Sequence, residues 1–135
     1  MNEKLIIHLL TDHAECNLHE LAPLTVSENK KTLAKIREKF IKQGELPAAQ
    51  KLSQYLQSGL TKKELEKIIA ASWRKHRVES ALTTIALLME TYPLSGLGVL
   101  QQALDKCLAG AKSPDYYYRP RYQAAIPKIM AMTKN

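Results

Sequence analysis

The segment from residue 61 to 73 restricts the fold of this chain more than any other. Its apolar side chains recur at i, i+3, i+4, i+7 and i+8, which places them on one face of an α-helix. Thr61 followed by Glu64 is a capping-box pattern, in which each side chain bonds the other residue's backbone N–H. A helix with one apolar face must pack that face on another element. The stripe consists of Leu65, Ile68, Ile69, Ser72 and Trp73.

The rest of the chain repeats the helical spacing and lacks the β-branched alternation typical of strands. Hydrophobic residues make up 45% of its 135 residues, enough for the core of a single domain. We therefore predict an all-α fold, a compact bundle of about five to seven short helices in one domain over residues 1–135. Prolines 120 and 127 predict a bent or partly irregular C-terminal tail over 113–135. The predicted helices cover about 3–21, 27–44, 47–59, 61–73, 78–91 and 95–110.

Residues that favour helix ends set these boundaries. Ser27 and Ser95 are suitable N-caps, and Pro47 suits a first helical position. Gly44, Gly59 and Gly110 suit the position after a helix. Between the fourth and fifth helices, residues 74–77 predict either a break or a kink.

Composition also bears on where in the cell the protein is located. No apolar run reaches the roughly 18 residues that a membrane-spanning helix needs, and the start of the chain has no signal-peptide pattern. Cys16 and Cys107 are too few and too far apart to form a disulfide framework. We expect a cytoplasmic protein that does not bind membranes.

The net charge of +7 is concentrated in one region. Residues 28–77 carry thirteen Lys and Arg against five Glu, whereas residues 1–27 are acidic. Within the basic region, the second predicted helix carries lysines at i, i+4, i+8 and i+11, opposite its apolar side. Like charges at this spacing repel one another, and an anion such as a phosphate backbone would relieve the repulsion. A solvated face that aids solubility is the alternative. These lysines are Lys31, Lys35, Lys39 and Lys42.

The fourth predicted helix adds cations and ends in a basic run. Trp73 could stack on a base beside these cations, but its place in the apolar stripe favours a core position. The candidate binding residues here are Lys63, Lys67, Arg74, Lys75 and Arg77.

The tail holds four tyrosines and two arginines within residues 116–122. Tyrosine interleaved with Arg119 and Arg121 suits contact with single-stranded nucleic acid, through stacking and phosphate binding. It also suits a protein interface, where both residue types are enriched, or packing of the tail on the bundle. The sequence leaves these three alternatives open.

Candidate chemistry is sparse elsewhere. The first predicted helix holds His8, and its His13, Cys16 and Glu20 fall near one face with His19 beside Cys16, but the spacing matches no familiar zinc site. No phosphate-binding glycine loop, His-Glu-x-x-His pattern or nucleophile elbow occurs. We expect no enzyme activity, no metal and no cofactor.

These patterns predict a non-catalytic nucleic-acid-binding protein that acts through a basic helix face, as a small accessory subunit of a larger complex. RNA or a single strand is favoured because no groove-reading helix stands out. The alternative is a helical adaptor for an acidic protein, also able to self-associate. Its interface would use the tyrosine–arginine tail with Leu94, Leu97 and Val99. A steep loss of affinity with salt supports the first function, and weak salt dependence with sensitivity to Tyr→Ala supports the second.

Overall fold

Six α-helices, connected by short links, form the part of the chain that the computed structural model describes, residues 30–133. A 3-10 turn, Pro93–Ser95, connects the fourth helix to the fifth. No strand occurs within 30–133, so the predicted all-α bundle is confirmed. The predicted helix over 3–21 and the Ser27 cap lie outside the described residues. The helices are α1 (Lys30–Gln43), α2 (Leu46–Tyr55), α3 (Lys62–Arg74), α4 (Val78–Thr91), α5 (Gly96–Ala111) and α6 (Arg119–Thr133).

The helices pack mainly as sequence neighbours, because the links between them are short. Helix α1 contacts α2 and α3, α3 contacts α4, and α4 contacts α5 and α6, which also pack on each other. One hydrophobic core runs through all six helices. Burial of each large aliphatic side chain contributes about 1.5–3 kcal/mol. Fully buried examples are Leu33, Ile36, Leu52, Leu65, Ile68, Ile85, Leu88 and Ile129.

Helix α3 has the start and the buried face that its sequence predicts. The Glu64 N–H donates to Thr61 Oγ1 at 3.2 Å, and the Thr61 N–H donates to Glu64 Oε1 at 2.9 Å. Both halves of the capping box are therefore present. All five residues of the predicted stripe are buried, and Trp73 belongs to the core.

The largely buried Arg37 side chain connects α1 to α2, to the α2–α3 link and to the start of α3. Its Nη1 and Nη2 donate to the Glu64 carboxylate at 2.6 and 3.0 Å, and its Nε donates to Ser53 Oγ at 2.8 Å. Nη2 also reaches the carbonyl of Gly59 at 3.3 Å. One guanidinium thus holds α2, the α2–α3 link and the start of α3. Bidentate pairing with a carboxylate is the strongest arrangement open to arginine.

The first three helices end in the same way. In each, the residue after the C-cap has positive φ. Its N–H and the N–H of the following residue donate to helix carbonyls, which forms a Schellman motif. Gly44, with φ of 76°, fills this position after α1, as predicted. Gln57 and His76, with φ of 55° and 56°, fill it after α2 and α3. Side chains other than glycine are disfavoured there.

Three predicted end signals act differently in the structure. Helix α2 ends at Tyr55, before Gly59, because the left-handed residue is Gln57. Ser95 precedes α5 but makes no side-chain cap bond. Gly110 lies inside α5, where it serves packing: a Cβ at Gly110 would overlap the Tyr122 ring on α6.

The tail is helical from Arg119 to Thr133, after turns that precede it. Pro120 lies in the first turn of α6, where a proline lacks no helical hydrogen bond. Pro127 lies inside the helix, which therefore loses one backbone bond. Packing compensates, because α6 buries Tyr122, Ala125 and Ile129 against the bundle.

None of the helices between residues 30 and 133 is both long and apolar enough to cross a bilayer.

We predict that Glu64→Gln lowers the free energy of unfolding by about 1–2 kcal/mol at neutral pH, because it removes the charge that pairs with Arg37. The Arg37 hydrogen bond holds the pKa of Glu64 below its ordinary 4.5. This stabilisation is therefore present above the unfolded-state pKa and is lost as the pH falls through the lowered folded-state pKa. Urea unfolding of wild type and variant should show curves that converge in acid.

Glu66→Gln is the matched control for this change. Glu66 lies on the same helix, is exposed, and pairs with Lys62 only at 3.8 Å. Its loss should change stability by less than about 0.5 kcal/mol. Equal effects of the two substitutions on the free energy of unfolding at neutral pH would show that the Arg37–Glu64 pair contributes no more stability than an exposed pair.

A second prediction compares two glycines of α5. Gly110→Ala should destabilise the protein by about 1–3 kcal/mol, because the methyl group meets the Tyr122 ring. At Gly98 a Cβ has nothing within 4 Å, so Gly98→Ala should stabilise by about 0.5–1 kcal/mol through helix propensity. Thermal unfolding of both variants checks the pair. Stabilisation by both would mean that α6 does not pack closely on α5.

Candidate nucleic-acid interface

The lysines of α1 form an exposed row. Lys31, Lys35, Lys39 and Lys42 all lie on the outer side of the helix, opposite the buried Leu33, Ile36 and Phe40. Helical rise places Lys31 roughly 16 Å from Lys42. Lys63 and Lys67 lie on the exposed side of α3.

The C-terminal ends of α1 and α3 meet. Lys75 Nζ donates to the Gln43 carbonyl at 2.7 Å, and Arg74 Nη2 approaches the Lys42 carbonyl at 3.5 Å. Carbonyl groups at a helix C-terminus carry partial negative charge, so both cations stabilise the end of α1. They therefore have a structural role in addition to any role in binding.

Arg77 is paired as well. Its Nη1 lies 2.6 Å from Glu45 Oε1, in a partly exposed ion pair just beyond the end of α1. A phosphate reaching Arg77 would share it with this carboxylate. Exposed pairs of this kind are weak, so sharing costs little.

His76 joins the end of α3 to the tail. Its positive φ lets the Schellman turn present the imidazole outward from the helix end. The ring stacks on Tyr118, with centroids 4.1 Å apart, and Nδ1 lies 2.8 Å from the Tyr122 hydroxyl. These contacts bring the segment of residues 116–122, here termed the tyrosine–arginine segment, to the basic end of α3.

Within the tyrosine–arginine segment, two rings remain exposed. Tyr116 and Tyr117 are 79% and 65% exposed. The Arg119 guanidinium lies over the Tyr116 ring at 4.6 Å, and that of Arg121 over the Tyr117 ring at 4.7 Å. Each exposed ring is thus held beside a cation. Of the four tyrosines, Tyr118 and Tyr122 pack on the bundle, as the third interpretation of the tail predicts.

A groove of about 610 Å³ continues from this region between α4 and α6. Arg77, Arg121 and Lys128 line it, with Glu79 as the opposing charge. Sequence reasoning missed Lys128. A single lysine beside Pro127 gives no signal unless the tail is known to be helical.

The cations that these contacts gather define a basic corner: Lys42, Arg74, Lys75, Arg77, Arg119 and Arg121. The other five predicted residues lie farther along their own helices. Lys31, Lys35 and Lys39 extend from the corner along α1, and Lys63 and Lys67 lie along α3.

Burial keeps two titratable groups close to the corner in their neutral forms at neutral pH. Burial raises the pKa of the Cys107 thiol to about 11, and burial is also the main cause of a raised pKa for Tyr122. Among residues 30–133, no three His, Cys, Asp or Glu side chains are placed to hold a metal ion. The histidine and cysteine group of the first predicted helix lies outside the described residues.

Comparisons of the chain with protein-family models, curated proteins and solved structures find no match. The basic corner therefore has to be interpreted from its own chemistry.

We predict that two substitutions to glycine at helix ends have opposite effects. Gln57→Gly should stabilise the protein by about 1 kcal/mol, because Gln57 is exposed and its positive φ favours glycine. His76→Gly gains the same backbone stabilisation but loses the stacking on Tyr118 and the hydrogen bond to Tyr122. These two contacts together contribute about 1–3 kcal/mol. Urea unfolding should therefore find His76→Gly no more stable than wild type. Equal stabilisation would mean that the ring does not hold the tail.

Proposed function

We propose that this protein is a non-catalytic nucleic-acid-binding protein that contacts single strands, RNA in particular, through the basic corner. The observation that carries the proposal is the meeting of the basic end of α3 with the tyrosine–arginine segment through His76. Residues more than forty positions apart in sequence thus offer cations and exposed rings on one surface.

The charges support backbone binding. The chain has a net charge of +7, and the six cations of the basic corner outnumber nearby acids such as Glu45, Glu79 and Asp115. The row of α1 lysines extends this charge by roughly 16 Å. Each phosphate that such cations neutralise releases counterions, which favours binding at low salt.

The exposed rings favour a single strand over a duplex. Bases of a single strand can stack on Tyr116 and Tyr117, whereas those of a duplex are already stacked on one another. Arg119 and Arg121 limit the movement of these rings, so less conformational entropy is lost on binding. The buried Trp73 takes no part in base contact.

The same proposal includes an accessory role in a larger complex and a cytoplasmic location. Cys107 is a free, buried thiol, which suits a reducing compartment.

The test is fluorescence anisotropy of the full chain with labelled single-stranded RNA, single-stranded DNA and duplex DNA across about 50–200 mM salt. We expect tightest binding to a single strand and a steep loss of affinity with salt. Lys31→Glu/Lys35→Glu should weaken binding at least about tenfold through lost phosphate contacts. Tyr116→Ala/Tyr117→Ala should weaken it by a similar factor through lost stacking, which is worth about 1–3 kcal/mol per base.

Lys51→Glu/Lys62→Glu is the matched control, because it changes the net charge equally on α2 and in the first turn of α3, about 18 Å along α3 from Arg74. It measures the effect of net charge alone. An equal loss in the control and in the α1 variant would refute a defined binding face. No binding at low salt by the folded protein would refute the proposal, and tighter binding to duplex would refute the single-strand preference.

A further inference from the structure

A second groove, on another side of α3, is not explained by nucleic-acid binding. It occupies about 590 Å³ between α3 and α5. Its lining residues extend from Lys62 to Arg74 on α3 and from Gly98 to Lys106 on α5, with Ser95 of the 3-10 turn before α5. Twelve residues of helix span about 18 Å, so the groove is long enough for about three helical turns. Its inner surface is formed by Ile69, Ala70, Trp73, Gly98 and Val99.

The groove has space at its centre. A Cβ at Gly98 would meet nothing within 4 Å, so the α5 wall is open there. Ala70 lines the groove from α3 and is exposed, and Val99 on α5 is partly buried. Apolar side chains of a partner can therefore be buried between the two helices.

The rim of the groove is basic. Lys62, Arg74 and Lys106 lie along it, and Glu66 is the one acid among the lining residues. Glu66 lies 3.8 Å from Lys62, so part of the rim charge is balanced within α3. Arg74 and Lys106 remain at the other end. A ligand with negative charge on both sides of an apolar stripe complements this pattern.

From these features we infer that the α3–α5 groove binds an amphipathic helix of an acidic protein partner. The apolar face of that helix contacts Ile69, Ala70 and Val99, and its acidic flanks face Arg74 and Lys106. Helices bind in grooves of this kind through anchors at i, i+3, i+4 and i+7.

The probe is a labelled synthetic peptide of about 14 residues with leucines at i, i+3, i+4 and i+7 and glutamates at the other positions. We expect saturable binding to the full chain, with NMR shifts of the ¹⁵N-labelled protein centred on Ala70, Gly98 and Val99. Ala70→Glu should weaken binding at least about tenfold, because it places a longer, negatively charged side chain inside the groove. Lys106→Glu should weaken it about fivefold, whereas Lys112→Glu, outside the groove, should leave it unchanged.

Two control peptides define the other outcomes. A peptide with lysines in place of glutamates should bind far more weakly, and one with the same composition but scrambled leucines should not bind. Equal binding of the lysine peptide, or no saturable binding of the acidic one, would overturn the inference. Self-association of the chain that Ala70→Glu abolishes would show that a second copy occupies the groove, and would overturn it too.

Discussion

The Arg37–Glu64 pair is the interaction on which the first half of the structure depends. It brings a cation from the middle of α1 to the first turn of α3, where Glu64 already closes the capping box. The same guanidinium donates hydrogen bonds to Ser53 on α2 and to the link before α3. Three helices therefore meet at one largely buried charge, and a partner left alone there would be costly. The geometry of α1 against α3 follows from this point of attachment.

The opposite ends of α1 and α3 are held by charge as well, but in a solvated setting. Arg74 and Lys75 reach the last carbonyls of α1, and Arg77 pairs with Glu45. The buried contact fixes the two helices, whereas the exposed contacts are individually weak and can rearrange. Cations held in this way can contact a phosphate without loss of the fold. This difference explains how the basic corner can be part of the structure and still be available to a ligand.

The sequence predicts what depends on local pattern. The capping box of α3, the glycine end of α1 and the buried stripe ending at Trp73 all follow from residues a few positions apart. The exposure of Lys31 and Lys35 follows from the same helical period. The role of Arg37 does not, because its partners lie 16 to 27 positions away. Nor does that of Gly110, which resembles a helix end until α6 is known to cross it.

The two proposed binding surfaces share a border at Arg74. This side chain lines the α3–α5 groove and also reaches the end of α1 within the basic corner. Both proposed ligands are negatively charged, and one guanidinium cannot pair fully with both. Each bound ligand would also add negative charge close to the binding surface of the other. An acidic helix in the groove would therefore weaken strand binding at the corner, and a bound strand would weaken helix binding by the same factor, because coupling between two binding equilibria is reciprocal.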